Sequence, residues 1–211
     1  MCRLLYISSQ EKFQVKDYLK KFALISKNSK EYQGHGWGCA IWEDDMWKYY
    51  KNLNPIWEDS FEKFGETIRL IAHARSAFRD QGISIENNMP FYDENYVFIF
   101  NGELSGVRIK EKGRIGAEKI FNFIKRFDKG NIKEAIAKGT EAIKKLTSYI
   151  RAMNIIIADK KNAYVYSHFN ENPEYFTMHF LQNENMNIVC SEKLDTNKRW
   201  RKINNNSLLE F

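Results

Sequence analysis

The chain has 211 residues, 43% hydrophobic and 15% aromatic, which is enough for one sizeable core and too apolar for a disordered chain. Its 33 basic and 27 acidic residues leave a formal charge of +6, but the cations accompany no zinc-finger spacing and no RNP-like aromatic run, so a solvated basic surface is expected and no nucleic-acid site. Three scattered cysteines without a CxxC pair, and no apolar run of membrane length, argue against a disulfide framework, a structural zinc site and a membrane span.

"RLLYIS" (Arg3–Ser8) is a short apolar run that reads as a buried strand. Val15, Tyr18, Leu19, Phe22 and Ile25 then recur at helical spacing. "WGCAIW" (Trp37–Trp42) and "MWKYY" (Met46–Tyr50) flank three acidic residues, the pattern of a hairpin. A second helix is expected over Asp59–Thr67, followed by a strand, "RLIAHAR" (Arg69–Arg75). After the polar segment Phe78–Asn88 comes "YVFIFNGEL" (Tyr96–Leu104), whose apolar run stops at Asn-Gly, a pair that favours a sharp turn at a strand end. Two helices follow, one lined by Ala117, Ile120, Phe121 and Ile124, the other by Ile132, Ala135, Ile136, Ile143, Leu146 and Ile150. "NIIIAD" (Asn154–Asp159), "AYVYSHF" (Ala163–Phe169), "YFTMHF" (Tyr175–Phe180) and "NIVCS" (Asn187–Ser191) read as strands. This order predicts an α+β domain of antiparallel sheets with segregated helices. With no repeat or linker, residues 1–211 read as a single domain.

Polar residues at the ends of apolar strands are held by a rigid scaffold at an open edge. Cys2, "GHGWG" (Gly34–Gly38), "HAR" (His73–Arg75) and "NGE" (Asn101–Glu103) all qualify. Removal of Met1 would give Cys2 both a thiol and a free α-amine, whose ordinary pKa of about 7.7–8.0 lets it serve as a base near neutral pH. The Asn101 amide and the Gly102 N–H could donate to an oxyanion, and the planar fork of Arg75 suits a carboxylate. Each also has a plainer explanation: a small N-terminal hydrophobe, a turn, a surface ion pair and, for His73, a core histidine with its hydrogen bonds satisfied.

Taken in order, "MCRLL", "GHGWGCAIW", "HAR", "NMPF", "FNGEL" and the closing "VCSEKLDTNKRWRKINNNSLLEF" (Val189–Phe211) resemble the class II, N-terminal nucleophile glutamine amidotransferases, in particular their stand-alone single-domain subgroup. The resemblance spans nearly the whole chain. It implies a four-layer αββα sandwich of the N-terminal nucleophile hydrolase type, with no metal and no cofactor. Cys2 would be the nucleophile, with Asn101 and Gly102 as the oxyanion hole. Arg75 would hold the substrate carboxylate, and Ser76, Phe78, Trp37 and Gly116 would complete the substrate pocket. The reaction implied is thiolate attack on a γ-glutamyl carboxamide, with release of ammonia and hydrolysis of the thioester. Glutamine or another γ-glutamyl amide would be the substrate, and a separate synthase subunit could use the ammonia. No membrane or nucleic-acid partner is implied, and a cytoplasmic location is expected. The chain departs from the pattern where substrate is recognised. Gly116 stands at the position of an ammonium-binding Asp, Phe78 at that of Thr, His35 at that of Asp, and Met89 at that of His. Two alternatives follow: a stand-alone hydrolase of a larger γ-glutamyl amide, or a catalytically silent regulatory or binding member.

Overall fold

A computed structural model describes residues 1–211. The first half comprises β1 (Arg3–Gln14), α1 (Val15–Lys27), β2 (Trp37–Glu43), β3 (Met46–Asn52), β4 (Glu66–Ala74), β5 (Phe91–Tyr92) and β6 (Val97–Val107). The second half comprises α2 (Gly116–Lys125), α3 (Ile132–Lys145), β7 (Thr147–Ala158), β8 (Ala163–Ser167), α4 (Pro173–Phe176), β9 (His179–Gln182), β10 (Met186–Cys190), β11 (Arg201–Lys202) and β12 (Ser207–Glu210). Two antiparallel sheets result, one ordered β11-β9-β10-β1-β4-β2-β3 and the other β12-β8-β7-β6-β5.

The alternation within β1 explains the layering. Leu4 and Tyr6 point into the core between the sheets, together with Ile71 of β4, Ile99 of β6 and Ile156 of β7. Leu5 and Ile7 point the other way, against Leu19 and Phe22 of α1. A strand covered on both faces reads as a continuous apolar run, as "RLLYI" does. On the far side of the second sheet, Ile120, Ile124, Ile136 and Ile143 of α2 and α3 join the same core as Ile155 and Ile157 of β7. The layers are therefore helix, sheet, sheet, helix. No helix is long and apolar enough to cross a membrane.

The structure corrects several sequence expectations. Asp59–Thr67 contains no helix; a short 3-10 turn at Ile56–Glu58 precedes it and β4 begins at Glu66. Asp59 holds that segment as a loop. Its carboxylate accepts from Trp37 Nε1 (3.0 Å), Tyr50 Oη (2.7 Å), Asn52 Nδ2 (2.7 Å) and the Ser60 N–H (2.8 Å), side-chain bonds that compete with a helical backbone. Asn101-Gly102 is not a turn. The strand runs on to Val107, with Asn101 opposite Asn154 and Gly102 opposite Met153 of β7, because pairing along a long partner strand overrides a local turn preference. Ile150 lies in β7, not on the preceding helix. Tyr175 and Phe176 lie in the one-turn α4, opened by Pro173 after Asn172 in a left-handed conformation. His73 is fully buried, but neither of its ring nitrogens has a hydrogen-bond partner, and burial pushes its pKa down to about 3, which keeps the ring neutral.

Candidate active site

The N-terminus of β1 and the middle of β6 meet at the mouth of the inter-sheet layer. There the Cys2 N–H donates to Asn101 Oδ1 at 2.9 Å. Asn101 is fully buried, and its Nδ2 has no hydrogen-bond partner, although an unmade buried donor is costly. Gly102 comes next on the same strand. A Cβ there would lie 2.2 Å from the Ala152 carbonyl oxygen and 2.7 Å from the Phe100 ring, so only glycine fits at this position. The Ser76 N–H lies 3.4 Å from Cys2 Sγ, and Sγ lies 3.6 Å from the Ser76 carbonyl oxygen.

Arg75 leaves the end of β4 almost fully buried. It donates to Asn88 Oδ1 (3.2 Å) and to the Gly82 carbonyl (2.8 Å), and Asn88 in turn donates to the Asn52 carbonyl (2.8 Å). His35 braces the loop after Arg75. Its Nδ1 accepts from the Ala77 N–H at 2.8 Å, and its backbone N–H donates to the Arg75 carbonyl at 3.1 Å. Burial pulls the pKa of this ring down despite nearby Asp80, which favours the neutral, accepting tautomer.

Cys2, Arg75, Ser76, Phe78, Gly102 and Gly116 line one cavity of about 560 Å³. Trp37 does not. Its ring is fully buried against Tyr50, Phe61 and Phe64, so it supports the hairpin rather than the cavity. Asn101 reaches the site through its side chain, between the lining residues Phe100 and Gly102.

Sequence reasoning did not single out the residues around Met1. The Met1 ammonium pairs with Glu31 at 2.9 Å. Its carbonyl accepts from Tyr175 Oη at 2.7 Å and from Gln33 Nε2. Arg151 joins Glu31 (3.1 Å) to Glu103 (3.2 Å) at the same end of the cavity. Burial would raise the Glu31 carboxyl, but the ammonium and Arg151 outweigh it and hold its pKa low. Gln33 is fully buried in a polar stretch and carries no periodic signal that could mark it. The Cys2 thiol is pushed up by burial, with the N-terminal charge, the Ser76 amide and Arg75 opposing that shift. Cys39 and Cys190 are buried core thiols; burial raises both, Cys190 to about 12.

No protein-family model matches the chain, and no curated protein sequence does. Solved structures do match. A glutamine phosphoribosylpyrophosphate amidotransferase from B. subtilis superposes with a TM-score of 0.64 at 16% identity, over 90% of this chain and 42% of that one. The chain thus spans less than half the length of that enzyme. A glutamine aminotransferase class-II domain protein from Silicibacter pomeroyi gives 0.65 at 14% identity, covering 99% of this chain and 94% of that one. A protein from Pseudomonas aeruginosa, described as a predicted glutamine amidotransferase, gives 0.63 at 14% identity, covering 100% and 97%. At these identities the likeness establishes architecture. The chain has the αββα fold of the class II glutamine amidotransferases, as its motifs imply.

Proposed function

We propose that the chain is a glutamine amidotransferase-like amidohydrolase of the N-terminal cysteine type, active once Met1 is removed. One observation carries the reading: a buried amide, Asn101, holds the Cys2 nitrogen through Oδ1 at 2.9 Å while its Nδ2 donor is left without a partner. That is the arrangement expected of an oxyanion donor fixed beside a nucleophile.

In this mechanism the freed α-amine takes the thiol proton, and the thiolate attacks the γ-carboxamide carbon. The carbonyl oxygen becomes an oxyanion facing Asn101 Nδ2 and the Gly102 N–H. The α-ammonium then protonates the departing nitrogen, ammonia leaves, and a γ-glutamyl thioester remains. A water, deprotonated by the same amine, opens the thioester and returns the thiol. Arg75 holds the substrate carboxylate with its charged fork. Whether the ammonia is released or passed to a separate synthase subunit, the chemistry at Cys2 is the same.

A second reading has a specific observation behind it. With Met1 in place, the Cys2 nitrogen is an amide, and Glu31, Gln33 and Tyr175 hold the Met1 backbone. In that state the chain is a silent, binding form. Both readings are tested with a glutamine-like diazoketone and an ammonia-release assay, applied to Met1-free and Met1-bearing protein. The expected result is labelling of Cys2 alone, with ammonia released only by the Met1-free form. Labelling at Cys39 or Cys190, or no reaction of Met1-free protein, would refute the nucleophile assignment.

A further inference from the structure

The cavity around Cys2 is unbalanced in charge. Its acidic lining residues are Glu31 and Glu103, and Arg151 bridges them at 3.1 and 3.2 Å, contacts that do not depend on Met1. Its other cations, Arg75, Arg79 and Lys119, have no carboxylate partner; Arg75 is held by neutral oxygens only. Glu118, next to the lining residues Ala117 and Lys119, is tied to Arg114 at 2.5 Å. An α-ammonium entering this space would lose its water beside like charges with no anion to meet it. A carboxylate would be welcome.

Much of the remaining wall is apolar, with Phe78, Leu104, Ile109, Ile115 and Ile120 among its residues. Phe78 keeps 59% of its surface exposed, an exposure that a bound apolar group would remove. A cavity of about 560 Å³ falls in the range that encloses a drug-sized ligand, well beyond the needs of one amino acid. At Gly116 an added Cβ would meet nothing within 4 Å, so the cavity is open there as well.

We infer that the cavity takes a γ-glutamyl amide whose α-nitrogen is blocked by an apolar acyl group, with its carboxylate on Arg75 and its acyl chain along Phe78, Ile115 and Ile120. This rests on the amidohydrolase reading above, which supplies the position of the carboxamide. Acylation removes the ammonium that the cations would repel and adds the apolar surface that the wall can cover.

The experiment compares glutamine, N-acetylglutamine and N-hexanoylglutamine. Met1-free protein is assayed for ammonia release, and the Cys2→Ser protein is used for binding by calorimetry. Expected is a kcat/KM that rises with acylation, at least about tenfold from glutamine to the hexanoyl compound, as a few methylenes in an apolar pocket allow. Binding to Cys2→Ser should follow the same order. Phe78→Ala, at an exposed position, should remove most of the gain from the longer chain, read as a fall in the hexanoyl-to-acetyl ratio of kcat/KM. Gly116→Asp, which adds a carboxylate in open space, should move preference back toward glutamine by about tenfold. Equal or better handling of free glutamine overturns the inference and leaves the amidohydrolase reading standing. If no amide is hydrolysed, the amidohydrolase reading falls, and the binding series still decides the ligand: tighter binding of the acylated compound supports the inference, and its absence overturns it.

Discussion

At the scale of single residues, the proposed chemistry rests most heavily on Asn101. It sits in mid-strand with its backbone in register with β7 and its side chain divided between two tasks: Oδ1 holds the Cys2 nitrogen and Nδ2 is free. If Nδ2 stabilises the tetrahedral oxyanion, Asn101→Ala should lower kcat by roughly 10²–10³, about 2.7–4 kcal/mol, in Met1-free protein. KM should change little, since the donor strengthens only in the transition state. Steady-state kinetics would show this, and a change confined to KM would assign Asn101 to ground-state binding. The Asn-Gly pair was visible in the sequence as a candidate site, but its reading as a turn was wrong. The residues were legible and the backbone was not, because a turn preference is local while the partner strand lies some fifty positions away.

At the scale of elements, Asp59 shows how one carboxylate replaces a helix. It ties Trp37, Tyr50, Asn52 and Lys63 together, and so fastens the β2–β3 hairpin to the loop that precedes β4. Burial would raise its pKa, but the hydrogen bonds from Lys63, Asn52 and Tyr50 bring it down to about 2. A carboxyl whose folded pKa lies below its ordinary 3.8 contributes stability that is complete above that value and is lost as pH falls toward the folded pKa. Asp59→Asn should therefore cost about 2 kcal/mol at neutral pH. The difference from wild type in urea midpoint should close between roughly pH 4 and pH 2. A difference that persists at the acid end would mean that shape, rather than charge, holds the loop. A helix was expected over Asp59–Thr67, but the Phe61 and Phe64 rings of this segment pack around Trp37 from a loop instead.

At the scale of the whole molecule, the first sheet is built from both ends of the chain. β1, β2, β3 and β4 come from the first part, and β9, β10 and β11 from the last. β1 sits between β4 and β10, and its two faces feed both cores. The full chain should therefore unfold in one cooperative transition. Removal of everything after Phe169 should leave β1 with a bare edge and abolish that transition, as differential scanning calorimetry would report. A truncated chain that still melts cooperatively would show that the last strands are dispensable. The sequence by itself determined the segregated strand and helix pattern, the buried β1 and the ordered motifs from which the sandwich follows, because hydrophobic periodicity is a local property of the chain. Only the tertiary structure decided that Asn101 lies in mid-strand, that Trp37 is core, and that Glu31, Gln33 and Tyr175 surround Met1. It alone also decided that the acids of the cavity are already paired. Those facts depend on contacts between residues far apart in the chain, and no local pattern records which distant side chain will meet a given charge.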